Sequence, residues 1–205
     1  MTMKAPHLDP DQLSDEDSAR ANVYALIGRL FYDVPDSRLL GEICGSGEAA
    51  GDPESRSLAS AWAELHRACK SALPDAVRQE YDALFIGVGR AQVTLYTSYY
   101  VGGMSADKHL VRLREQLGTW GLGRRDSVHE VEDHISGLCD VMRYLIVQNQ
   151  PLDDQKRFFS DFVYPGVMPF CNAMVAANSA DFYKKVAIFT RAFFEMENTA
   201  LEMTE

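Results

Sequence analysis

Apolar residues recur at helical spacing along almost the whole chain, and this regularity restricts the fold more than any other feature. No run of alternating residues suggests a strand, and no repeat of about 20–50 residues is visible. We therefore predict an all-α fold, a single globular helical domain over residues 1–205 with about eight or nine helices. One stripe at i, i+3, i+4, i+7 and i+8 consists of Val23, Leu26, Ile27, Leu30 and Phe31.

Capping residues and prolines predict where several helices begin and end. Ser14 with Asp17 resembles a capping box at the start of the first helix. A helix is predicted over residues 131–148, and Ser179 is the predicted cap of the last helix. The run that starts at Pro151 is expected to kink or split at two later prolines, Pro165 and Pro169.

One segment departs from the helical pattern. Residues 87–104, GVGRAQVTLYTSYYVGGM, combine glycines, tyrosines and β-branched residues. Such a composition is typical of an ordered loop or an extended connection rather than of a helix. We interpret it as a hinge segment between two helical halves.

Charge and composition exclude several classes of protein. The chain has 30 acidic and 20 basic residues and a formal charge of -10, which disfavours general nucleic-acid binding and is compatible with a basic partner.

No window approaches about 18 uninterrupted apolar residues, so no membrane-spanning helix is predicted. The polar residues 1–13 carry no secretory signal and are predicted to be flexible, so we expect a cytoplasmic protein. The four cysteines form no C-x-x-C pair, so neither a zinc site nor a disulfide framework is expected.

The stretch HEVEDH, residues 129–134, resembles a zinc-protease helix but has the wrong spacing. Its two histidines are five residues apart and would lie about 140° apart around a helix, so they could not hold one ion. On a helix, Glu130, Asp133 and His134 would instead share a face. Two interpretations stay open at this point: a carboxylate that fixes the imidazole tautomer, or acidic residues that stabilise a helix N-terminus.

A second stretch, EYDALFIGVG, places Tyr81, Leu84 and Phe85 on one helical stripe. These residues fit either the protein core or a groove for an apolar peptide. No phosphate-binding glycine motif and no G-x-S-x-G nucleophile motif occurs in the chain. We therefore predict no catalytic residues, no bound cofactor and no metal.

Three motifs in order resemble one protein family. They are Y-x-x-L-F (Tyr81, Leu84, Phe85), L-Y-x-S-x-Y with Tyr96 and Ser98, and E-x-x-D-H (Glu130, Asp133, His134). Together with the length and helical pattern they resemble the TorD/DmsD family of redox-enzyme maturation chaperones, over residues 20–197. One departure is Gly166, which stands where many relatives have tryptophan.

The resemblance implies a function. Such chaperones bind the twin-arginine leader peptide and the apo form of a molybdopterin-containing oxidoreductase, aid cofactor insertion and prevent premature export. Some exchange halves across the hinge, so a monomer or a domain-swapped homodimer is expected, without nucleic acid or stable membrane insertion. The implied peptide-binding residues are Tyr81, Leu84, Phe85, Tyr96, Ser98, Glu130, Asp133 and His134.

The roles of these residues can be stated as a hypothesis. Carboxylates bind arginine in bidentate geometry, so Glu130 and Asp133 would face the leader arginines while His134 orients Asp133 by a hydrogen bond. Two alternatives are a helical adaptor for another basic or amphipathic peptide, and a hydrolase or metal-dependent enzyme that uses the same face. Metal analysis of the purified protein distinguishes the enzyme from the chaperone.

Overall fold

A computed structural model of the chain describes residues 13–47, 56–87, 91–101, 106–123 and 131–203. Within these ranges nine continuous helices and no strand occur, which confirms the predicted all-α class. Two of the nine contain a π-helical turn. The helices are α1 (Asp15–Tyr32), α2 (Ser37–Gly45), α3 (Arg56–Ser71), α4 (Pro74–Tyr81) continued by a π turn (Asp82–Ile86), α5 (Ser98–Val101), α6 (Ala106–Thr119), α7 (Ile135–Val147), α8 (Leu152–Phe158) continued by a π turn (Phe159–Val163) and α9 (Tyr164–Ala176), and α10 (Phe182–Met203).

Helices α1 and α7 pack along each other at the centre of the molecule, and α10 packs against α3 and α9. Helices α1 and α7 cross at Gly28, where a Cβ atom would be in ordinary van der Waals contact, 3.5 Å from the Cβ of Cys139. The hydroxyl of Ser136 donates a 2.8 Å hydrogen bond to the Gly28 carbonyl at the same crossing. The core is rich in fully buried aromatic side chains, which contribute large apolar areas. They include Tyr24, Phe31, Phe158, Phe159, Phe170, Tyr183, Phe193 and Phe194.

The helix ends are fixed partly as the sequence predicts. Ser14 caps α1 by accepting a 3.0 Å hydrogen bond from the amide of Asp17. Ser179 does not cap the last helix, because α10 begins at Phe182. Its N-terminal amides at 181–183 donate instead to the carboxylate of Glu80, at 2.9, 3.0 and 2.8 Å. A side chain of α4 thus replaces a local cap and joins α4 to α10.

A buried ion pair joins the two ends of the described chain. Glu197 of α10 is buried and accepts hydrogen bonds from Arg20 of α1, the shortest at 2.7 Å, and from the hydroxyl of Tyr24 at 3.1 Å. Burial alone would lower the pKa of Arg20, but the hydrogen bonds and charge of Glu197 outweigh it and raise that pKa. The guanidinium also contacts Asp17 and Gln155, which links α1, α8 and α10.

The proline-rich helical run contains a π-helical turn (Phe159–Val163) just before Pro165, where a kink or split was predicted. The amide of Tyr164 reaches back to the carbonyl of Phe159 in an i→i+5 hydrogen bond. Pro165 follows at once and lacks an amide hydrogen, so the widened turn accommodates a break in the hydrogen-bond ladder. Pro169 lies inside α9.

Residues 91–101 of the hinge segment cross the surface of α9. It is tightest at Gly166, where a Cβ atom would lie 2.5 Å from the Cβ and 2.9 Å from the carbonyl oxygen of Thr97. A side chain at this position would have to push the hinge segment away. Glycine at position 166 is therefore matched to the course of this segment. Residues 88–90 and 102–104 of the predicted hinge, and residues 1–12 of the predicted flexible terminus, lie outside the described ranges.

Substitution of Gly166 tests this packing. We expect Gly166→Ala to lower the free energy of unfolding by about 1–3 kcal/mol, because the added methyl overlaps Thr97. The control is Gly41→Ala in α2, where no atom lies within 4 Å of the new Cβ, and a gain of about 0.5–1 kcal/mol is expected. Urea unfolding measures both, and equal effects of the two variants would contradict the account.

Candidate functional site

The L-Y-x-S-x-Y and D-H motifs meet in the folded chain as two short antiparallel segments. The amide of Thr97 donates to the carbonyl of Asp133, and the amide of Ile135 donates to the carbonyl of Leu95, each at 3.0 Å. Between these bonds, Tyr96 and His134 form a β-bridge pair. Their rings lie edge to face, with centroids 5.4 Å apart. Two motifs more than 30 residues apart in the sequence therefore form one structural unit.

Asp133 fastens the hinge segment with its side chain as well as its backbone. Its carboxylate oxygen Oδ2 accepts hydrogen bonds from the amide of Ser98, at 3.2 Å, and from the Ser98 hydroxyl. The hydroxyl of Thr97 donates to the Asp133 carbonyl at 3.1 Å. Asp133 is only 2% exposed, so its charge is held beneath the surface and directed towards the hinge segment and the start of α5.

His134 is the N-cap of α7, which corrects the predicted helix over residues 131–148. The helix begins at Ile135, four residues later, and the Nδ1 atom of His134 accepts a 3.2 Å hydrogen bond from the amide of Ser136. Residues 131–134 form a turn closed by the His134 amide and the Val131 carbonyl. Pairing with the hinge segment uses the backbone that a longer helix would need, so Asp133 and His134 do not share a helical face. Glu130 lies outside the described residues.

The Y-x-x-L-F residues pack into the core beside this unit. Tyr81 and Leu84 are buried, and the Tyr81 hydroxyl lies 3.5 and 3.4 Å from the carbonyl oxygens of Phe31 and Tyr32. The half-buried ring of Phe85 lies 4.8 Å from that of Tyr81 and 5.1 Å from that of Tyr183. The stripe therefore packs as core, which was one of its two predicted environments.

The hinge segment joins this aromatic cluster to the paired motifs. The amide of Val93 donates to the Leu84 carbonyl at 3.0 Å, at the end of the α4 helix. Further along, the Tyr100 hydroxyl donates to the carbonyl of Thr94 at 3.0 Å, and its ring lies 6.0 Å from that of Phe170. All three sequence motifs are thus connected through residues 93–100.

Aromatic side chains on the hinge segment remain accessible. Tyr96 is 37% exposed and Tyr99 is 61% exposed, and Ile86 is exposed at the end of the α4 helix. The sequence motifs did not single out Tyr99 or Ile86. Their only sequence signal was a position within or beside the glycine- and tyrosine-rich segment. Exposed apolar groups next to a fixed turn are suited to contact with an apolar peptide.

An ion pair that the motifs also missed borders the turn. Arg114 of α6 contacts the carboxylate oxygen Oε2 of Glu132 through both Nε and Nη2, each at 3.0 Å. Glu132 directly precedes Asp133, so this pair lies beside the paired segments.

The imidazole of His109 in α6 is buried and close enough to Asp133 to be affected by its charge. Its ring lies 5.5 Å from that of Phe162, and within the described structure its Nε2 atom has no hydrogen-bond partner. Burial, and then the charge of Arg112, lower its pKa below the ordinary 6.5, while Asp133 and Asp161 act in the opposite direction. No group of three His, Cys, Asp or Glu residues in the described ranges could hold a metal ion.

A polar groove reaches the first turn of α7 at Ser136. It has a volume of about 680 Å³ and opens between α1, α2, α4 and α7. Three arginines, Arg29, Arg78 and Arg143, line it, and its wall reaches Ser136. Asp33, Asp36 and Asp140 also line the groove, so it carries carboxylates as well as guanidinium groups and is a second place where a peptide could be accommodated.

The described residues form an all-α protein in which the paired motifs, an acidic turn and an exposed tyrosine lie side by side. Its fold matches the crystal structure of an Archaeoglobus fulgidus protein described as a candidate redox enzyme maturation protein, with a TM-score of 0.51 and 21% identity. The match covers 95% of this chain and 99% of that chain. At this identity the comparison shows the fold.

The chain belongs to the nitrate reductase delta subunit family, whose model matches residues 52–172. This confirms the resemblance to TorD-like redox enzyme maturation proteins. No curated protein matches the chain significantly.

Protonation of His109 should destabilise the folded protein. The pKa of His109 in the folded protein lies below 6.5, so the unfolded chain binds more protons as the pH falls below that value. The free energy of unfolding should therefore decrease between about pH 7.5 and 5.5, and the decrease should be smaller in His109→Gln. Urea unfolding at both pH values measures the difference. An equal decrease in both proteins would contradict the assignment.

Proposed function

We propose that this protein is a cytoplasmic chaperone that binds the twin-arginine leader peptide and apo form of a molybdopterin-containing oxidoreductase. It would hold the client until the cofactor is inserted and so delay export. The family and fold already indicate a redox enzyme maturation chaperone. The leader, the molybdoenzyme client and the cytoplasmic location are the steps that we add. Among the described residues, no helix has the length and apolar character needed to cross a bilayer.

The observation that carries the proposal is the pairing of Tyr96 with His134. It places an exposed aromatic side chain directly beside an acidic turn. A twin-arginine leader offers two guanidinium groups followed by an apolar stretch that readily forms a helix. Carboxylates in the turn suit the first element, and Tyr96, Tyr99 and Ile86 suit the second.

The site residues would then have two kinds of role. Tyr96 would contact the peptide, and Glu130 would contact an arginine. Ser98, Asp133 and His134 would act as positioning residues, because their side chains hold the hinge segment and the first turn of α7. The negative charge of the buried Asp133 would still favour an approaching cation.

The aromatic stripe would support this surface from below. Tyr81, Leu84 and Phe85 hold the end of the α4 helix, to which the hinge segment is attached. The proposal involves binding without turnover.

Calorimetric titration with a synthetic leader peptide tests the proposal. The peptide is taken from the molybdoenzyme encoded nearest to the gene, and a Lys-Lys version is titrated beside it. We expect binding of the Arg-Arg peptide that weakens about tenfold or more with Lys-Lys, because lysine cannot form the bidentate contact. Loss of the exposed ring in Tyr96→Ala should also weaken binding.

Other outcomes would contradict parts of the proposal. Equal binding of both peptides would remove the arginine-specific role of the turn and favour a general adaptor for basic or amphipathic peptides. Absence of binding to either peptide would contradict leader recognition for this client.

A further inference from the structure

At the candidate site, Arg114 already forms an ion pair with the carboxylate of Glu132. Arg114 places two nitrogen atoms, Nε and Nη2, 3.0 Å from the Oε2 atom of Glu132. The Glu132 side chain is 15% exposed, whereas that of Arg114 is 52% exposed. The carboxylate is therefore held in the protein, and the guanidinium approaches it from the solvent side.

The turn fixes the position of Glu132. The preceding and following residues, Val131 and Asp133, belong to the turn that pairs with the hinge segment. The carbonyl oxygen of Glu132 lies against the first turn of α7, 3.4 Å from where a Cβ of Gly137 would be. Arg114, in contrast, extends from the exposed face of α6 on a long and flexible side chain. Displacement of the ion pair would move Arg114 and leave the carboxylate in place.

We propose that Glu132 is a leader-binding carboxylate and that Arg114 is its internal competitor. In the free protein Arg114 occupies Glu132, and a leader arginine displaces it on binding. This inference rests on the proposed function and adds a residue and a mode of regulation to the same site. It follows from the geometry, because Glu132 already accepts a guanidinium through two nitrogens, whereas the buried Asp133 accepts from Ser98.

Competition of this kind would lower the apparent affinity of every leader peptide that has to displace Arg114, and by the same factor for each peptide. An incoming arginine can replace Arg114 because it can make the same two nitrogen contacts with Glu132. Lysine presents a single compact ammonium and cannot reproduce a two-nitrogen contact. The preference for arginine over lysine would therefore come from Glu132 itself, and the resident ion pair would set how tightly any leader binds.

Removal of the competitor is the direct test. Arg114→Gln should bind the Arg-Arg leader peptide about three- to fivefold more tightly than the unaltered protein, because the peptide no longer has to break a partly exposed ion pair. The Lys-Lys peptide should gain by the same factor if it also displaces Arg114, so the ratio of the two affinities should stay unchanged. The control is Arg112→Gln on the same helix, whose partner is Asp161 at 3.5 Å, and it should leave both affinities unchanged.

A second variant identifies the carboxylate. Glu132→Gln should weaken binding of the Arg-Arg peptide roughly tenfold, and adding Arg114→Gln to it should produce no further change. Thermal unfolding monitored by circular dichroism establishes that each variant is folded.

The outcomes separate this inference from the proposed function. If the unaltered protein prefers Arg-Arg over Lys-Lys but Arg114→Gln binds no more tightly, the competitor role is wrong and leader binding stands. If Glu132→Gln binds as well as the unaltered protein, Glu132 is not the ligand. If the unaltered protein binds neither peptide, both the proposed function and this inference are contradicted.

Discussion

The hydrogen bonds between Asp133 and the hinge segment hold the rest of the site together. The carbonyl of Asp133 accepts from the amide and hydroxyl of Thr97, and its carboxylate accepts from Ser98. These bonds fix the start of α5. His134, which follows Asp133, then caps α7, and the helix begins at Ile135. One buried residue therefore fixes an exposed aromatic segment beside the start of α7.

The remainder of the fold supports this junction from two sides. The aromatic cluster around Tyr81 and Tyr183 anchors the beginning of the hinge segment through the Leu84 carbonyl. On the other side Gly166 lets the segment lie directly on α9. A tryptophan at position 166 would require a different course of the hinge segment. Glycine at position 166 is thus matched to the course of the hinge segment, whose pairing with residues 133–135 places Tyr96 beside the acidic turn.

Helix positions were predictable from sequence because apolar spacing and local capping decide them, as for α1 and Ser14. The start of α7 was not, because a tertiary interaction overrides local preference when residues 131–134 pair with a segment more than 30 residues away. The cap of α10 was missed for the same reason, since Glu80 comes from another helix. Motif order identified Tyr96, Ser98, Asp133 and His134 as a group, and the structure brings these four together. The order of the motifs could not reveal the ion pair between Glu132 and Arg114, because this pairing depends on how α6 lies against the turn.

The account depends on where the leader arginines bind, and crosslinking measures this most directly. A leader peptide with a photoreactive residue beside its arginine pair is bound and irradiated, and the attachment points are mapped by mass spectrometry. The account predicts attachment within residues 96–100 and 131–134 and at Arg114. Attachment in the polar groove around Arg29, Arg78 and Arg143 would place recognition in that groove instead of at the hinge segment and contradict the central claim.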